Sequence, residues 1–139
     1  MKIIIETIPH ASQRYPTVGD WYRETDGTLH IKVSALSDWR MEALVAVHEL
    51  VEVLACEHAG ITQEQVDNFD TNFEKVRAKQ LEADLPEAQK TLIAIAEPGD
   101  DFAAPYRAQH CLASGIERIL APALGLTWAA YECEIEALA

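Results

Sequence analysis

The chain predicts an α+β fold, a small N-terminal antiparallel sheet followed by four to five packed helices, and three observations predict it. Residues 2–8 and 21–33 have strand composition, and the second stretch is split by Asp26-Gly27, a strong hairpin turn. From residue 37 onward apolar side chains recur at helical spacing, punctuated by Gly60, Pro86, Pro105, Pro122 and Gly125. The chain has 139 residues, 49% of them apolar, which is enough for one core and short for two. A single domain over 1–139 is therefore expected, with a β-sheet portion at 1–36 and a helical portion at 37–139.

The run 2–8 alternates poorly but is rich in β-branched residues and reads as a first strand. Glu6 interrupts its apolar run well short of a signal-peptide core, and no small-residue cleavage pattern follows. Trp21-Tyr-Arg-Glu and Leu29-His-Ile-Lys-Val33 form the two arms of the hairpin. Ser37 or Asp38 can cap the first helix, which runs to about His58 and stops at Gly60. Thr62-Gln-Glu-Gln65 is a capping box that opens a second helix, and Val66, Phe69, Phe73 and Val76 mark its apolar face past Gln80. Pro86 opens a shorter apolar segment over 88–96, and the run 97–101 is a loop on turn chemistry alone. Pro105 suits the first turn of a helix from Tyr106 to about Ala121. In that helix Leu112, Ile116, Ile119 and Leu120 are expected to face the core, opposite a stripe of His110, Ser114 and Glu117. Thr127 caps a last helix that is expected to run through Leu138.

A formal charge of −12 excludes an extended phosphate-contacting surface, so no nucleic-acid partner is expected. No segment approaches the roughly twenty apolar residues needed to cross a bilayer. Without a membrane span or a signal, a soluble, cytoplasmic protein is expected. The three cysteines, Cys56, Cys111 and Cys133, are widely spaced and form no Cys-x-x-Cys pair, so neither a disulfide framework nor a thiolate zinc site is indicated. All three read as buried or half-buried thiols, and Cys111 does not face the adjacent His110 on a helix.

The densest functional signal is the apolar run 45–55, which carries His48, Glu49 and Glu52. Buried ionisable groups are costly without partners, so a helix that keeps three of them has a use for them. His48 and Glu52 stand four apart on one helical face, the spacing of two metal ligands. The bland alternative is a solvated stripe that happens to include a histidine, but Met41, Val45 and Cys56 interrupt that stripe with apolar groups. A metal on this helix needs a further donor, and His110 is the strongest candidate among the remaining histidines. His48, Glu52 and His110 would make a three-ligand zinc site with a fourth position free for water. Glu49 could then accept the proton of that water. Glu117 or Asp70 could orient His110 through its other nitrogen or replace Glu52 as ligand, and Tyr106 or Arg107 could stabilise an oxyanion.

A short sheet followed by a helix bearing His48-Glu49-Leu50-Val51-Glu52 resembles the zincin metallopeptidases, whose signature is His-Glu-x-x-His. The resemblance spans roughly residues 1–60. It implies that His48 is a zinc ligand, that Glu49 is the general base, and that the substrate is a peptide or protein. The chain departs from the signature at Glu52, where the second histidine should stand, which widens the metal toward manganese or iron. The pattern, with Gly60-Ile-Thr and Ala104-Pro-Tyr-Arg-Ala-Gln-His110, also resembles small uncharacterised phage and prophage proteins, implying an origin in a bacterial host.

Two other readings compete. Glu49-x-x-Glu52 with Asp67-x-x-Asp70 is similar to the all-helical nucleoside-triphosphate pyrophosphohydrolases of the MazG type, which would hold Mg2+ through four carboxylates. That reading gives His48 and His110 no task. The third is a non-enzyme, an acidic inhibitor or adaptor that binds another protein and keeps any metal for structure alone. Of the three, the zincin-like hydrolase accounts for the most residues.

Overall fold

The computed structural model describes residues 1–138, so Ala139, the last residue of the expected domain, lies outside the described residues. Three strands come first: β1 (Ile3–Ile8), β2 (Gly19–Arg23) and β3 (Leu29–Ser34). Five α-helices follow: α1 (Trp39–Ala59), α2 (Gln63–Glu82), α3 (Glu87–Ala94), α4 (Arg107–Ala123) and α5 (Trp128–Glu136). Single 3-10 turns lie at His10–Ser12 and Pro98–Asp100, the latter inside the stretch expected as a loop. The α+β architecture with a small N-terminal sheet is the one the sequence predicts.

The sheet is mixed rather than wholly antiparallel. Its order is β1-β3-β2, with β2 antiparallel to β3 (Trp21 opposite Ile31) and β1 parallel to β3 (Ile5 opposite Ile31). The cause is the link over 9–18, which leaves Ile8 and re-enters at Gly19 near the same end of the sheet. β2 therefore runs opposite to β1, and the hairpin feeds β3 into the gap between them. Antiparallel to β2, β3 is necessarily parallel to β1. Gly27 makes the hairpin turn at φ 85°, a region open to glycine at little cost.

As the central strand, β3 buries Leu29, Ile31 and Val33 on the face that packs against α1. Leu44, Val45, Val53 and Cys56 supply the helical half of this core. α1 has no single wet face because the sheet packs on one side and α4 on the other. Asp38 caps it by accepting from the Arg40 N–H at 2.9 Å, and Gly60 ends it at φ 76°. The Thr62–Gln65 capping box opens α2 as expected.

The inner face of α4 differs from the expected one, of which Leu120 alone packs against the core and Ile116 is half-buried. His110, Ala113, Glu117 and Ala121 are buried against α1, whereas Leu112 and Ile119 are 52% and 76% exposed. Two small residues, Ala113 and Ala121, allow close approach of the helices, and α1 supplies partners for the two polar side chains. Once His110 and Glu117 are paired, burying them costs little, so the polar stripe goes inward. Cys56 is buried, but Cys111 and Cys133 are exposed free thiols, because each lies on the outer side of its helix. Among the described residues no helix is long and apolar enough to cross a membrane.

Candidate metal centre

The site forms where α1 crosses α4. His48 and Glu52 point from successive turns of α1, and His110 meets them from the first half of α4. All three are at most 9% exposed. His48 Nε2 lies 3.1 Å from His110 Nδ1 and 3.4 Å from Glu52 Oε2, and His110 Nδ1 lies 3.1 Å from the same Glu52 oxygen. Tetrahedral ligands held about 2.0–2.1 Å from zinc stand about 3.3 Å apart. The three edges therefore outline one face of a coordination shell.

The outer nitrogens of both rings are engaged by carboxylates. His48 Nδ1 is 2.8 Å from Glu117 Oε2, and the Tyr131 hydroxyl donates to the other Glu117 oxygen. His110 Nε2 is 3.2 Å from Glu97 Oε2 and 3.9 Å from Asp100 Oδ1. An ionised carboxylate only accepts hydrogen bonds, so it places a proton on the ring nitrogen facing it. In the neutral rings, His48 Nε2 and His110 Nδ1 are then bare lone pairs. Both are directed toward each other and toward Glu52. Three acceptors that converge in this way need a cation between them.

Without a metal, added protons supply that cation. Burial opposes a charge on His48 and His110, but carboxylate bonds outweigh it. Glu117 and Glu52 raise His48 well above the ordinary value, and Glu52 and Glu97 raise His110 to about 10. Burial raises Glu52, yet its bonds to His110 and His48 prevail and lower it below the carboxylate range. Trp21 Nε1 donates to the second Glu52 oxygen at 3.2 Å and fixes the plane of that carboxylate. Burial, reinforced by the charge of Glu52, raises Glu49 well above the ordinary value.

Two glycines make room for these side chains. A Cβ on Gly19 would lie 2.7 Å from Glu49 Cδ, with Oε1 closer still, and a Cβ on Gly99 would lie 2.7 Å from His110 Cδ2 and closer to the rest of the ring. β2 and the Pro98–Asp100 turn thus press their backbones against Glu49 and His110.

The centre opens into a cavity of about 320 Å³ whose lining includes His48, Glu49, Glu52, His110, Asp70, Tyr106 and Glu117. The structure thus brings seven of the eight sequence-predicted site residues to one cavity. Arg107 is the exception: its Nε donates to the Asp100 carbonyl at 3.2 Å, and its guanidinium stacks 4.6 Å over the Phe102 ring. Arg107 is the first residue of α4, where the stacking on Phe102 turns it outward. The carboxylate roles also differ from the expected ones. Glu117 holds His48 rather than His110, and Asp70 accepts from the Tyr106 and Tyr15 hydroxyls rather than touching either histidine. The Tyr106 proton is engaged by Asp70, so it is not free for an oxyanion.

Sequence reasoning missed Glu97 and Asp100, which with His110 form a second group able to hold a cation. The acidic residues inside the 97–101 turn were the only signal. Trp21, Tyr131 and the two glycines carry no local signal, because their roles arise from long-range packing. The set Glu49, Glu52, Asp67 and Asp70 does not form a metal-holding group among the described residues. Asp67 is instead paired with Arg14 at 3.2 Å. No family model, curated protein or solved structure matches the chain.

Proposed function

We propose that the protein is a zincin-like metallohydrolase that cleaves an amide in a peptide or protein, with zinc held by His48, Glu52 and His110. The observation that carries this reading is the set of two imidazole nitrogens and one carboxylate oxygen 3.1–3.4 Å apart, each ring backed by a further carboxylate. Divalent zinc supplies the positive charge this set calls for and lowers the pKa of a water to about 7.

Glu49 follows His48 directly and lines the same cavity, next to Gly19. Burial raises its proton affinity, the direction that strengthens a general base. Glu117 and Glu97 hold the ring protons outward and fix which nitrogen of each histidine faces the centre. Trp21 restrains Glu52. The cavity beside Glu49 favours catalysis over a closed structural site, which would need no room for a reactant. A carboxylate at position 52 also suits manganese or iron, so the metal requires direct measurement.

The test is metal content by plasma mass spectrometry on protein purified without added metal or chelator, combined with a peptidase screen. About one equivalent of zinc is expected in the parent, with loss in His48→Ala and in His110→Ala. Glu49→Gln is expected to keep the metal and to lose hydrolysis by about 100-fold or more. Full activity in Glu49→Gln would remove that residue from the mechanism. Absence of any bound transition metal would overturn the centre itself.

A further inference from the structure

Several carboxylates around the cavity are matched to cations. Asp20 is held by Arg14 at 2.7 and 2.8 Å, Asp67 by the same arginine, Glu74 by Arg77 at 2.6 Å, and Glu52 and Glu117 by the histidines. Asp70 is only 6% exposed, yet it forms no ion pair among the described residues. Its partners are two tyrosine hydroxyls. A buried carboxylate without a counter-cation costs several kcal/mol, and replacing it by an amide would remove that cost.

Asp70 lines the same cavity as His48, Glu52 and His110, and the Tyr15 and Tyr106 hydroxyls donate to its two oxygens. A buried carboxylate on a cavity wall attracts ammonium and guanidinium groups through charge-assisted hydrogen bonds. The basic side chains in the lining are engaged elsewhere. Arg77 bonds Glu74 and the carbonyls of Ala94 and Ala96, and Arg118 stacks 4.5 Å over Trp128. Acidic groups at Glu49, Glu97 and Asp100 line the same space and leave its field negative.

From this geometry we infer that Asp70, Tyr15 and Tyr106 form a subsite for a cationic side chain, so the substrate is a peptide with a lysine or arginine next to the bond that is cut. The inference rests on the hydrolase reading for the fate of the bound peptide, but binding of the cation does not require turnover.

The test is calorimetric titration with three blocked amino-acid amides: N-acetyl-arginine methylamide, N-acetyl-lysine methylamide and the neutral N-acetyl-norleucine methylamide. Each is titrated into zinc-loaded and chelator-treated protein and into Asp70→Asn, with Glu82→Gln on an exposed turn of α2 as control. At least one cationic probe is expected to bind about tenfold or more tighter than the neutral one, whichever cation the pocket prefers. That advantage should vanish in Asp70→Asn and persist in Glu82→Gln. Equal binding of all three probes, or an undiminished advantage in folded Asp70→Asn, overturns the subsite. Cation binding without hydrolysis leaves the subsite standing and counts only against the hydrolase. Hydrolysis without cation preference does the opposite.

Discussion

Asp70 and Glu52 share one cavity and are almost equally buried, yet they are driven in opposite directions because their partners differ. Glu52 faces two imidazoles and is lowered. Asp70 is pushed up to about 7, by burial first and the charge of Glu52 next, and its tyrosine bonds offset this only in part. An upward shift means that the folded state holds the proton more tightly than the unfolded chain. The stability from this group is therefore complete below about pH 4, its unfolded value, and is lost as the pH rises through about 7. Asp70→Asn keeps an acceptor and a donor for the two tyrosines and cannot ionise. Urea titrations from pH 5 to 8 should show the parent losing stability relative to Asp70→Asn, by on the order of 2–3 kcal/mol. Parallel pH profiles for the two proteins would show that Asp70 does not titrate in this window. A similar contrast explains which residues the sequence revealed. His48 and Glu52 were legible because their contact follows from helical spacing alone. The Glu117–His48 bond joins residues 69 apart, and no local pattern encodes it.

At the scale of elements, the centre depends on how closely backbone can approach it, and the sequence hid this best. Gly99 reads as one residue of a turn, but a methyl group there would collide with the His110 ring. That ring is held on both sides, by Glu52 at 3.1 Å and by Glu97 at 3.2 Å, so it cannot swing aside without leaving a carboxylate. Gly99→Ala is accordingly expected to weaken metal affinity about 10- to 100-fold, the usual effect of disturbing a ligand's supporting contacts, while the far-UV circular dichroism stays unchanged. Competition with a metallochromic chelator reads the change, and parent-like affinity would mean that the turn yields. Tyr131→Phe probes the other ring from α5. It leaves one Glu117 oxygen without its donor and should weaken the metal by a comparable factor if Glu117 orients His48. The helices themselves were legible from caps and breakers, such as Asp38, the Thr62–Gln65 box and Gly60. The inward turn of the α4 polar stripe was not, because periodicity identifies two faces of a helix without saying which one meets partners able to satisfy it.

Across the whole molecule, the apolar core and the polar centre share α1. Leu29, Ile31 and Val33 belong to one apolar cluster with Leu44 and Val53, and His48 and Glu52 meet His110 of α4. A ligand that binds only the folded state stabilises it by about 2.7 kcal/mol at 100 times its dissociation constant. For a domain of this size that is a melting shift of roughly 5–11 °C. Chelation is therefore expected to lower the melting temperature by that order without abolishing folding, because the sheet–α1 core does not depend on the metal. The loss should be local. Without a cation, the His48–Glu52–His110 cluster is a set of facing polar groups between α1 and α4, and the other buried residues of α4 on that interface, Ala113 and Ala121, bring little apolar area. Hydrogen exchange should then accelerate over α4 and α5 on chelation and stay slow in β3 and the first half of α1. Global unfolding on chelation would identify a structural metal and turn the functional reading away from hydrolysis. Confined opening of α4 is what a catalytic centre on a self-sufficient core requires, because the fold persists when the site is empty.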